Sequence, residues 1–107
     1  MNYITHNDTF IEVNGTHGQG QIPCSYTTLV KTFGEPFTAF MDKVDAEWTI
    51  RFEDGTVATI YNWKNGKNYM GAEGLELSEI GIWNIGGFSK KAVEAVNNAV
   101  RNTYATI

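Results

Sequence analysis

The chain has 107 residues, 12 of them acidic and 8 basic, for a formal net charge of −4. That is the length of one domain, enough to bury a core without disulfides or a structural metal. The negative balance argues against general nucleic-acid binding, which needs a basic excess to displace phosphate counterions, and it is too mild for a DNA mimic.

In chain order, Tyr3 to His6 and Thr9 to Val13 read as short strands. Asn14-Gly15 reads as a tight turn and Gly15 to Gly20 as a flexible loop. Ser25 is the expected N-cap of a first helix, in which Tyr26, Leu29, Val30 and Phe33 share one face. Gly34 ends that helix and Pro36 prevents its continuation. Residues 37–46 read as a loop that mixes Phe37, Phe40 and Met41 with Asp42, Lys43 and Asp45.

Trp48, Ile50 and Phe52 then alternate with Glu47, Thr49, Arg51 and Glu53. Asp54-Gly55 predicts a two-residue hairpin turn. Pairing through it sets Phe52 opposite Val57, Ile50 opposite Thr59 and Trp48 opposite Tyr61, all on one buried face. The other face carries Thr49, Arg51, Ala58, Ile60 and Asn62 and is half polar, as in a sheet with one side near solvent. Asn65-Gly66 predicts a second hairpin that returns Lys67 to Met70 along Tyr61 to Lys64. Gly71 and Gly74 bracket a loop, and Leu75 to Glu79 has no clear period. Ile80 to Ile85 reads as a strand with Trp83 and Ile82 on opposite faces, broken by Gly86-Gly87. Ser89 is the expected N-cap of a second helix, with Phe88 stapled onto Val93. Ala92, Val93, Val96, Ala99 and Val100 form its apolar stripe; Lys90, Lys91, Glu94, Asn97 and Arg101 face solvent. The elements predict one α+β domain over residues 1–107: a single antiparallel sheet of about four to six strands with two helices packed on one face.

Cys24 is the only cysteine, so no intramolecular disulfide forms and a reducing compartment fits. It stands just before the first helix, where the helix dipole can lower a thiol pKa, and His6 or His17 could serve as a base. No motif surrounds these residues, and a small buried side chain near a helix cap explains Cys24 more simply. His6, His17 and Cys24 lack the paired spacing of a zinc site, so no metal or cofactor is expected. In Gly86-Gly87-Phe88-Ser89-Lys90-Lys91, two glycines precede a helix with lysines in its first turn. Gly86, Gly87, Ser89 and Lys90 are therefore an alternative site for a nucleotide or other anion, although the full phosphate-loop pattern is missing. Trp63, Lys64, Lys67 and Tyr69 surround the Asn65-Gly66 turn. Together with Trp83 they form the candidate partner-binding surface, since aromatics interleaved with lysines can stack on a ligand or hold anions.

The runs SYTTLVKTFGEP, KVDAEWTIRFEDGTVATIYNWK and IWNIGG, over roughly residues 25–96, resemble small uncharacterised proteins of bacteriophages. The helix ending in Phe-Gly-Glu-Pro before an antiparallel hairpin is also similar in architecture to modules of the β-lactamase-inhibitor-protein type, which are secreted or lipid-anchored. The phage resemblance implies a non-enzymatic protein that binds and blocks a host protein, including a component of anti-phage defence, and it carries over no catalytic residue. The polar start (Met1, Asn2, Thr5, His6) does not read as a signal peptide, and no apolar run approaches the ~20 residues of a membrane span. The expected location is the cytoplasm, that of the host for a phage protein, without membrane association. An uncovered sheet face or edge leaves a homodimer open.

Overall fold

Helix formation starts where the cap predicts. The computed structural model describes residues 1–39 and 41–106, so Phe40 of the predicted loop lies outside the described residues. The Ser25 hydroxyl accepts from the Thr28 N–H at 3.1 Å, and helix α1 runs from Tyr26 to Phe33. Gly34 ends it at φ 84°, a backbone conformation that glycine adopts without a Cβ clash. The longer helix α3, Lys91–Ala105, buries Ala92, Val96, Ala99 and Val100, and Val93 packs at its margin.

Five strands, β1 (Tyr3–Thr5), β2 (His17–Pro23), β3 (Glu47–Phe52), β4 (Val57–Tyr61) and β5 (Ile82–Gly87), form one antiparallel sheet in the order β1-β3-β4-β5-β2. The fold is α+β, as predicted, with α1 and α3 on the same face. Trp48, Ile50, Phe52, Ala58, Ile60, Trp83, Ile85 and Ile22 line that face and join Leu29, Phe33 and the α3 stripe in one buried cluster. Trp48 and Trp83 meet edge to face at 5.4 Å in its centre. The Trp48 indole N–H donates to the Gly34 carbonyl at 2.8 Å, which ties α1 to the sheet.

Several expectations change. Glycine-rich residues 17–20 belong to β2, where Gly18 and Gly20 pair with β5 around a register shift. Gly20 sits under α3: a Cβ there would meet Val93 Cγ2 at 3.1 Å. Thr9 to Val13 form no strand, because this segment connects β1 on one edge of the sheet to β2 on the other. The Asn14-Gly15 turn is present, with Gly15 at φ 88° and the Thr16 N–H donating to the Val13 carbonyl.

The central hairpin is shifted by one residue. Phe52 N–H donates to the Thr56 carbonyl, leaving Glu53, Asp54 and Gly55 in a three-residue connection with Gly55 at φ 90°. Ile50 therefore pairs with Ala58 and Trp48 with Ile60. Ala58 and Ile60 join the core, while Val57, Thr59 and Tyr61 move to the opposite face. A one-residue slip exchanges every side chain of a strand between faces.

Asn65-Gly66 makes no hairpin. Lys67–Met70 is a single helical turn, α2, followed by 3₁₀ turns at Gly71–Glu73 and Leu77–Glu79. Gly86 and Gly87 do not break a strand; they are its last residues, paired on both sides with β4 and β2. Helix α3 consequently starts at Lys91. Ser89 still assists, its hydroxyl accepting from the Lys91 N–H at 3.3 Å, but Phe88 is exposed rather than stapled under the helix.

Candidate functional site

Among the described residues, α1 and α3 pack on one face of the sheet. On the other, cross-strand pairing aligns Glu47, Tyr61, Asn84 and Gln21 in one row and Thr49, Thr59, Gly86 and Gly18 in the next. The missing side chains of Gly18 and Gly86 leave a depression. Glycine is required at 86, where a Cβ would collide with Thr59 Oγ1. Val13 and Thr16 form one wall as the β1–β2 connection crosses this face, and Val44 and Trp63 form another. The result is a cleft of about 420 Å³ lined also by His17, Gly18, Glu47, Thr59, Tyr61, Asn84 and Gly86.

Two groups set its chemistry. Glu47 is half buried, its main chain locked to Phe37 by paired hydrogen bonds of 2.8 and 2.9 Å. Burial pushes its carboxyl above the usual glutamate range. The Tyr61 ring lies over the glycine floor: its hydroxyl would be 3.8 Å from a Cβ at Gly18, and its Cε1 3.6 Å from one at Gly86. Trp63 stands edge to face against Tyr61, centroids 6.5 Å apart.

Beside the cleft, the structure brings together three of the sequence-predicted partner-binding residues. The Lys64 ammonium sits 5.9 Å from the Trp63 centroid and 5.4 Å from that of Tyr69. Lys43 adds a second ammonium 6.0 Å from Trp63. Lys64 holds φ 61°, the single left-handed non-glycine residue among those described, and its N–H donates to the Lys43 carbonyl at 2.8 Å. Lys67 is turned elsewhere, to the Ala72 carbonyl and Glu76. Trp83 does not belong to this surface. It is fully buried between the sheet and the helices, because its parity on β5 is that of Ile85.

The alternative anion site does not assemble. Gly86 and Gly87 are ladder residues paired with both β4 and β2, Gly87 packs against Ala92 in the first turn of α3, and Lys90 Nζ donates to the Gln19 carbonyl. Cys24 is buried, and burial raises its thiol pKa. His17 lies at the far end of β2, roughly 20 Å away at ~3.3 Å per residue, and His6 follows the opposite edge strand, about 19 Å across the sheet. No thiol–imidazole pair forms. Among the described residues no group of three His, Cys, Asp or Glu could hold a metal, and no helix is long and apolar enough to cross a membrane.

Glu47, Thr59, Tyr61 and Asn84 do not stand out as one site in the sequence. The alternation in β3 does mark Glu47 as facing away from Trp48, but the slipped register assigned Tyr61 and Thr59 to the core. No protein-family model, curated protein or solved structure matches this chain.

Proposed function

We propose that the protein is a non-enzymatic binding protein that recognises a protein partner through Trp63, Lys64 and Tyr69. The observation that supports this is an exposed aromatic pair: Trp63 is 50% and Tyr69 49% exposed, bridged by a lysine in left-handed backbone. Trp and Tyr concentrate binding energy at interfaces. Backbone strain of this kind gathers at binding sites. The finer reading draws on the resemblance to small phage proteins: an inhibitor acting in the host cytoplasm on a host protein, including a defence component.

The test is affinity capture from host lysate, with wild type compared to Trp63→Ala and Lys64→Glu, both checked for folding by circular dichroism. Wild type should retain a stoichiometric protein. Trp63→Ala should weaken its binding by about 30-fold, the effect of removing a hot-spot aromatic. Absence of a stoichiometric partner, or equal capture by folded Trp63→Ala, defeats the reading.

A further inference from the structure

The cleft on the helix-free face presents hydrogen-bonding groups that are unused among the described residues. Glu47, Thr59, Tyr61 and His17 all line it. Among the described residues, none of these side chains makes an internal hydrogen bond, and the ion pair present joins Lys67 to Glu76 instead. Burial raises the Glu47 carboxyl pKa, and among the described residues no salt bridge offsets it. The Glu47 carboxyl keeps contact with solvent, so water serves it in the free protein, and a ligand that brings positive charge to this concave site would take the place of that water.

The remaining walls suit such a ligand. Tyr61 and Trp63 meet at 82°, and both line the cleft together with Glu47. The electron-rich face of an aromatic ring attracts ammonium and guanidinium groups. Trp63 already draws two ammonium groups, those of Lys43 and Lys64, yet neither lysine lines the cleft or reaches Glu47. Val13 and Val44 supply apolar contact for a short alkyl stem. A volume of about 420 Å³ accommodates a group of that size.

We propose that this cleft binds an organic cation, an alkylammonium or alkylguanidinium group, with Glu47 as counter-ion, Tyr61 and Trp63 as aromatic walls and the Tyr61 and Thr59 hydroxyls as acceptors. Such a group is carried either by a free small molecule or by a lysine or arginine of a bound polypeptide. The site does not depend on the proposed recognition by Tyr69, so either can fail alone.

The experiment is titration of the ¹⁵N-labelled protein with n-butylguanidinium, n-butylammonium and uncharged n-butylurea, followed by NMR. The two cations should give saturable shifts at the Gly18 and Gly86 amides and the Trp63 indole N–H, and butylurea should not. Glu47→Gln, which keeps the side-chain shape, should weaken cation binding by about tenfold or more, as loss of a charged hydrogen-bond partner does. Gly18→Leu, at a position where a Cβ meets only open cleft and the Tyr61 hydroxyl, should fill the site and abolish the shifts. Tyr69→Ala should leave them unchanged. An arginine-containing pentapeptide that binds more tightly than butylguanidinium identifies a polypeptide source; equal or weaker binding identifies a free small molecule. Absence of saturable shifts, equal response to butylurea, or unchanged affinity in folded Glu47→Gln overturns the proposal.

Discussion

Asn62 shows how much one buried polar residue decides. It is fully buried, and its carboxamide is fully used. The oxygen accepts from the Asp45 and Ala46 N–H groups at 2.7 and 3.3 Å, and the nitrogen donates to Asp45 Oδ1 and Asn65 Oδ1 at 3.0 and 2.9 Å. Asn62→Ala leaves several of these partly buried groups without their partner, so it should cost about 2–3 kcal/mol, read from urea denaturation. Glu47 makes the opposite contribution. Its folded-state pKa is raised, so between the unfolded and folded values the native protein holds more protons than the unfolded chain. Stability attributable to this group is highest below the ordinary glutamate range and falls as pH rises through the raised value. Glu47→Gln should remove that decline and raise the melting temperature at pH 7 relative to wild type, measured by thermal unfolding across pH 4 to 8 (about the span over which a raised carboxyl titrates).

Among the elements, β5 is built for close approach. Gly87 touches α3: a Cβ there would lie 2.5 Å from Ala92 Cβ and 3.0 Å from the Val57 carbonyl oxygen. Neither neighbour is a flexible side chain that can swing away. Gly87→Ala should therefore destabilise by about 1–3 kcal/mol through overpacking, with α3 displaced from the sheet, checked by denaturant unfolding. The same contacts explain why a glycine pair that resembles a strand break continues the strand. The Asn65-Gly66 segment makes the same point through polar groups. A Cβ at Gly66 would collide with Asp45, and Asn68 is held by the Asp45 carboxylate and the carbonyls of Met41 and Val44. These contacts with residues some twenty positions away favour a helical turn over the hairpin that the dipeptide suggests locally.

For the whole molecule, the strand order is the decisive fact. With β1 and β2 at opposite edges, residues 6–16 must span the sheet, and Val13 and Thr16 mark their path over the helix-free face. Ile11 is 3% exposed yet lies outside the helix-side cluster, as does Val44. Burial of Ile11 therefore fastens the connection that carries Val13 and Thr16 to the cleft. Ile11→Ala should cost about 2–4 kcal/mol, as large-to-small changes at buried sites do. It should also broaden the Gly18 and Gly86 amide resonances while those of α1 stay sharp, observed by NMR.

The sequence alone determined what local spacing can encode. Ser25, Gly34 and the three-to-four-residue apolar spacing delimit α1, the Val96–Val100 stripe orients α3, and the Trp48-Ile50-Phe52 alternation selects the buried face of β3. Together they give the α+β class with both helices on one side, because caps and periodicity act within a few residues. Of the candidate site, Trp63, Lys64 and Tyr69 were legible as aromatics interleaved with a lysine. Tertiary structure decided the rest. A three-residue connection at Asp54-Gly55 rather than two sent Tyr61 and Thr59 to the open face, and the parity of β5 sent Trp83 to the core. The cleft itself exists only because strands distant in sequence align Gly18 and Gly86 beside Tyr61 and Glu47. Register and strand order follow from which pairing buries the most apolar surface across the whole sheet, and no local stretch carries that comparison.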